Sequence, residues 1–326
     1  MHSLDTLAIL ALLLTTSLAQ QTRTVFQFPK PTWLENIATT RTGHLLTGVL
    51  NKAPAELHIV DPFGTYEASS ANATLLHSFP GVNTVFGISE YAPDLFAVAT
   101  GDYSPSTGAT KGTYAVWTVD ISRPDDTKVH KIADLPNIEV INGLAALNKD
   151  AILLADSFAG TVVRLDVKTG RSHTVINDGS TAFAAPLGVN GLKVLHATNP
   201  PTLYYTNSGL NATFSAPIHP TTGKLDGNVS MLASNESVPD DLAVTDDETM
   251  FFAKPYAGTL TRAKAGEKAV VVAGSVGSLE LGGVTSATLG RSYKDRGVVY
   301  VATMGGFNAD GSYAEGGKIV AVEVGN

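Results

Sequence analysis

The sequence predicts an all-β protein, a six-bladed β-propeller of four-stranded blades whose ring is closed by the N- and C-terminal strands. Three observations carry this. Short apolar runs separated by turn residues recur in six units of about fifty residues. No stretch shows a competing helical period of about 3.6 residues. The composition, 44% hydrophobic with 31 Gly and 16 Pro, suits a well-buried chain rich in turns.

Taken in order, the first segment of each unit begins near Glu35, Thr84, Asn142, Asn190, Asp240 and Ser286. The second begins at His44, Leu95, Ala151, Thr202, Met250 and Val298, and the third at Leu57, Tyr114, Val162, Thr213, Leu260 and Ile319. Residues 24–28 form one more strand that belongs to no unit of its own. Pairing it with the last strand, near Gly325, closes the ring and removes exposed edges. Residues 20–326 are therefore expected to form one propeller domain, because a ring of repeats can use that length as a single unit.

Residues 1–19 read as a secretory signal peptide, with an apolar stretch from Leu7 to Leu14 and a small-x-small cleavage pattern at Ser17-Leu18-Ala19. Acceptor patterns for N-glycosylation begin at Asn72, Asn211, Asn228 and Asn235. A secreted or lumenal glycoprotein without a membrane anchor is the expectation. With no Cys, the chain has no disulfide, thiolate metal site or Cys nucleophile. A net charge of -8 and no run of Lys/Arg argue against nucleic-acid or anionic-membrane binding and for a small molecule.

Because the units are related by rotation, the residue at the start of each inner strand points to one axis. Glu35, Asn142, Asn190 and Asp240, with Thr84 and Ser286 in approximate register, form a converging set of oxygens there. Two carboxylates and two amides suit Ca²⁺ or another hard divalent cation, and no organic cofactor is implied. The plainer alternative is that each Asn-Gly or Asp-Asp caps a turn, which explains one such residue better than four in the same register. The mouth of the ring is expected at residues 48–55, 100–112, 156–160, 207–212, 254–258 and 303–317, with long loops at 101–112 and 304–317.

Here the chain resembles a family. Glu35 after Pro31-Thr32-Trp33-Leu34, Asn142-Gly143-Leu144, Asn190-Gly191-Leu192 and Pro239-Asp240 look like the regucalcin/gluconolactonase-like six-bladed propellers over nearly all of residues 31–326. The resemblance implies that Glu35, Asn142, Asn190 and Asp240 ligate a divalent metal and that Asp240 acts as base in lactone hydrolysis. Two positions depart from the family pattern: Glu-Gly is here Glu35-Asn36, and Pro-Asp-Gly is Pro239-Asp240-Asp241. Each adds a polar side chain that is expected to crowd or recharge the pocket floor. Glu35-Asn36-Ile37-Ala38, Gly188-Val189-Asn190-Gly191-Leu192, the Asp240-Asp241 pair and Gly290-Arg291 with Asp295 resemble a fungal secreted branch of the superfamily. That branch includes hetero-Diels-Alderases of tropolone sesquiterpenoid biosynthesis.

A pericyclic cyclase needs a pocket for two apolar partners and a donor that polarises a carbonyl oxygen. The mouth offers Tyr103, Phe158, Tyr256, Met304 and Phe307 as walls, and Lys254, Asn207 and Asn36 as donors. A metal-dependent lactonase would instead use Asp240 or Glu35 as general base. Its polar substrate would call for Arg or His on the mouth loops, which contain neither. The ligand is thus expected to be a small apolar or lactone-type molecule. A non-enzymatic binding module is the third reading.

Overall fold

The computed structural model describes residues 21–64, 73–123 and 126–325. The expected signal peptide and the acceptor Asn72 lie outside the described residues. Twenty-four strands, from β1 (Thr22–Gln27) to β24 (Lys318–Glu323), form six four-stranded antiparallel sheets, and no described residue is helical. The inner strands are β2 (Trp33–Thr39), β6 (Thr84–Ala92), β10 (Ile141–Asn148), β14 (Val189–Leu195), β18 (Leu242–Val244) and β22 (Val284–Leu289).

Five blades use four consecutive strands, and the sixth runs β22, β23 (Val298–Thr303), β24 and then β1. Pairing from Thr22 opposite Val322 to Gln27 opposite Lys318 therefore fastens the two ends of the chain together. The core lies between blades: Leu153 and Val162 of the third pack on Leu203, Tyr205 and Phe214 of the fourth. Such side chains each contribute about 1.5–3 kcal/mol by leaving water.

One irregularity repeats around the ring and builds the site. The inner-strand ladders slip between Leu34 and Asn36, Val85 and Ile88, Ile141 and Leu144, Val189 and Leu192, and Val284 and Ser286. A β-bulge turns a side chain out of the pleat. Here it directs Glu35, Phe86, Asn142 and Asn190 to the axis, and Asp240 joins them from the segment before β18.

Two of the approximate ring positions are corrected by this register. Thr84 lies two residues before its bulge, its hydroxyl bonded to Asn83 and to the Asn51 amide, so Phe86 takes its place. Ser286 follows its bulge and bonds Asp241 instead of facing the mouth. Glycine at the second bulge position lets inner strands meet backbone to backbone. A Cβ on Gly87 or Gly143 would lie 2.6 Å or 2.5 Å from the carbonyl oxygen of Asn142 or Asn190.

Candidate active site at the mouth of the axis

A cavity of about 170 Å³ opens at the mouth. Its floor carries Glu35, Asn142, Asn190 and Asp240, the four residues expected to converge. Its walls include the expected Tyr103, Phe158, Tyr256 and Met304. They also include Leu50, from the expected mouth segment 48–55, and residues that the mouth-loop argument missed: Trp33, Phe86, Val140, Pro186 and Leu187. Trp33 and Phe86 had a usable signal, since Trp33 is two residues from Glu35 on the same strand and Phe86 shares the register of Asn142.

The floor is held tightly from one side and left open on the other. Asn190 donates through Nδ2 to Ser208 Oγ and to Asp240 Oδ1, both at 2.9 Å, while its buried Oδ1 has no partner. Glu35 accepts from the Trp33 indole at 2.8 Å. Burial raises the Glu35 carboxyl from 4.5 to about 7, with the Trp33 hydrogen bond opposing and the Asp241 charge reinforcing. Burial, then Glu35 and Asp241, pushes Asp240 well above the usual carboxylate range. Burial, then Glu35, Tyr256 and Asp240, raises the Tyr103 phenol, so it remains a neutral donor in the cavity.

The two departures from the family pattern prove to be one feature. Asn36 Nδ2 donates to Asp241 Oδ2 at 2.8 Å, one layer farther from the mouth. Ser286 Oγ donates to the same oxygen at 2.8 Å, and the Lys193 ammonium lies 3.1 Å from it. Gly191 leaves the space for Asp241, since a Cβ there would sit 2.5 Å from Asp241 Oδ1. Asn36 and Asp241 are absent from the cavity lining, so they do not crowd the floor; Asp241 recharges it from below.

The three donors expected at the mouth are engaged elsewhere. Asn36 is bound to Asp241, and its Oδ1 accepts from the Ile88 amide. Asn207 donates to the carbonyls of Ser180 and Ala182 and accepts from the Leu210 amide. Lys254 pairs with Glu236 at 2.9 Å and is not among the cavity-lining residues. Phe307 stands beside the cavity, packed on Trp33 and Tyr313 with ring centroids 6.1 Å and 5.1 Å away. The expected loop at 101–112 is mostly hairpin: β7 (Leu95–Ser104) pairs with β8 (Gly108–Asp120) out to Ser104 opposite Gly108. That extension carries Tyr103 over the cavity, its amide bonded to Asn83 Oδ1.

A divalent cation passes a test of fit at the floor. Two carboxyl groups that burial and neighbouring carboxylates make reluctant to ionise, together with an orphaned amide oxygen on Asn190, form a hard-oxygen donor set. Glu35, Asp240, Asn190 and Asn142 are the residues that would hold it.

The fold and this cavity define a six-bladed β-propeller with an open cavity at the mouth of its axis. No protein-family model matches the chain. It is 23% identical over 318 residues to "Putative hetero-Diels-Alderase asR5" of Sarocladium schorii, covering 86% of this chain and 77% of that protein. It is also 23% identical over 316 residues to a "Putative hetero-Diels-Alderase" of a Phoma species, covering 86% and 85%. Among solved structures, the calcium-binding protein regucalcin from Agrobacterium tumefaciens aligns with a TM-score of 0.64 and 14% identity, over 93% of this chain and 95% of that one. The last likeness is one of fold.

Proposed function

We propose that the protein is a cyclase that catalyses a hetero-Diels-Alder cycloaddition at the mouth of the propeller axis. The carrying observation is the cavity itself, an apolar and aromatic wall over a small polar floor with Tyr103 as a neutral donor. The names of the two fungal relatives support the same reading.

In this reaction the C=C–C=O unit of an ortho-quinone methide meets an alkene. One C–C and one C–O bond form as three π bonds become two σ bonds and one new π bond, with no atom gained or lost. Acid-base transfer is not required. The protein contributes by holding both partners in register, which removes several kcal/mol of the entropic barrier. Tyr103 donates a hydrogen bond to the carbonyl oxygen as charge builds on it. The Glu35 carboxyl, raised to about 7, faces the same cavity and keeps its proton in part near neutral pH, which lessens the anionic charge set against that oxygen.

Chelated protein should accelerate the joining of an ortho-quinone methide to an alkene and give one stereoisomer in excess. Tyr103→Phe should slow it about tenfold, less than the loss of a full oxyanion donor because only partial charge develops. A racemic product at the background rate would sink the proposal.

The orphaned Asn190 oxygen beside two carboxyls favours one second reading, a divalent-metal-dependent lactonase. A bound cation would supply Lewis acidity toward a carbonyl oxygen. Asp240 would then accept a proton from water. Lactone hydrolysis abolished by chelation and by Asp240→Asn would select this reading.

We infer in addition that the protein is a secreted glycoprotein. Asn228 and Asn235 are exposed and Asn211 is half-buried, all on the fourth blade or just beyond its last strand. A mobility shift on treatment with an N-glycosidase, lost stepwise in Asn→Gln variants at these positions, tests it. Among the described residues no helix is long and apolar enough to cross a membrane.

A further inference from the structure

A cavity of about 170 Å³ matches one ring, by comparison with an engineered cavity of ~150 Å³ that takes benzene. A reaction between two apolar partners needs a second place. Such a place adjoins the cavity through Phe158, which lines it. Phe158 and Phe183 stand edge to face with centroids 5.9 Å apart, and both are exposed, at 36% and 52%. Tyr256, at the same mouth, is 71% exposed.

Phe183 belongs to a strap, residues 177–188, whose Pro186 and Leu187 line the cavity. The strap is fixed rather than loose. Asn207 Nδ2 donates to the carbonyls of Ser180 at 2.9 Å and Ala182 at 3.0 Å, and Thr181 Oγ1 donates to that of Gly160 at 2.9 Å. A Cβ on Gly160 would lie 2.4 Å from the Phe183 nitrogen, and one on Gly209 only 1.9 Å from the Ala184 oxygen. Phe183 thus stands half in water against Phe158, which lines the cavity together with Pro186, Leu187 and Tyr256. A contiguous apolar patch of this kind marks a binding surface.

We propose that Phe158, Phe183 and Tyr256 form an outer subsite for the hydrocarbon alkene, while the inner cavity takes the oxygenated ring. This rests on the cyclase reading and deepens it. Because the alkene lies over the opening, the partners bind in compulsory order, ring first and alkene second. Asn207 is a positioning residue for this subsite, acting through the strap.

The test is equilibrium and stopped-flow binding without turnover. Salicyl alcohol serves as the inner probe and geraniol as the outer one. The chain has only two Trp residues, so Trp117→Phe leaves Trp33 as the reporter of the cavity. Phe183→Ala should weaken geraniol about tenfold and leave salicyl alcohol within about twofold, and Phe183→Leu should recover most of the loss. Saturating geraniol should slow the association of salicyl alcohol.

Equal weakening of both probes, no weakening of either, failure of geraniol to bind, or unchanged association of salicyl alcohol would each overturn the proposal. Turnover is a separate readout. A protein that binds both probes in order without cyclising anything would remove the cyclase reading alone, and one that cyclises undiminished as Phe183→Ala would remove the subsite alone.

Discussion

Glu35 and Asn36 are neighbours in the chain, as are Asp240 and Asp241, yet the bulge of β2 and the segment before β18 place the first of each pair at the cavity and the second one layer below. In the lower layer the polar groups answer one another: Asp241 receives Asn36, Ser286 and Lys193. In the mouth layer two carboxyls are raised and the Asn190 oxygen stands unpartnered. A buried polar network is stable when complete, and an incomplete one invites a ligand to complete it. The lower layer reads as structure and the mouth layer as function.

Perturbing the two layers should have opposite effects on stability. The largest expected change is at the lower layer. Asp241→Ala leaves Lys193 without its anion and two donors without an acceptor, and denaturant titration should register a loss of about 3 kcal/mol, at the low end of the range for a broken buried pair because Lys193 can reach water.

Glu35→Gln should act the other way. The folded-state value of Glu35, about 7, lies above the ordinary 4.5, so its contribution to stability is complete below pH 4.5 and lost as the pH rises through about 7. Through Glu35 the wild-type protein should thus lose about 2.5 kcal/mol between those pH values, and Glu35→Gln, which cannot ionise, should remove that part of the slope in thermal melts, leaving the part that belongs to Asp240.

Gly191→Ala, which drives a methyl into Asp241, should cost about 1–2 kcal/mol by the same denaturant titration. Ser208→Ala should cost only about 1 kcal/mol, because it removes one acceptor from Asn190 and one bond to the Pro239 carbonyl. A mouth-layer carboxyl whose neutralisation destabilised the fold as much as Asp241→Ala would erase the distinction.

Much of this was legible in the sequence. The starts of the second strands and the pairing of residues 24–28 with the last strand were given by apolar runs that survive because those strands are buried on both faces, as in β11 (Ala151–Asp156). Most of the fourth strands carry no such run, the valines of β21 (Val270–Gly274) being the exception. β13 (Ser172–Ile176) is largely exposed, and the polar side chains that suit an outer edge conceal it.

Four of the floor residues were found because rotation repeats them. Phe86 escaped because it keeps the register but not the chemistry of the ring. The partners that engage Asn36, Asn207 and Lys254 were hidden for another reason. Whether a polar side chain faces a ligand or a neighbouring carbonyl depends on residues distant in sequence, such as Asp241, Ser180 and Glu236.

The most direct test of the contrast is infrared spectroscopy of the carboxyl groups near neutral pH in the presence of a chelator. A protonated-carboxyl band should be present in the wild type, diminished in Glu35→Gln and in Asp240→Asn, and retained in Asp241→Asn. A wild-type protein with no such band, or one whose band vanishes only in Asp241→Asn, would contradict the assignment of the mouth layer as a neutral floor waiting for a ligand.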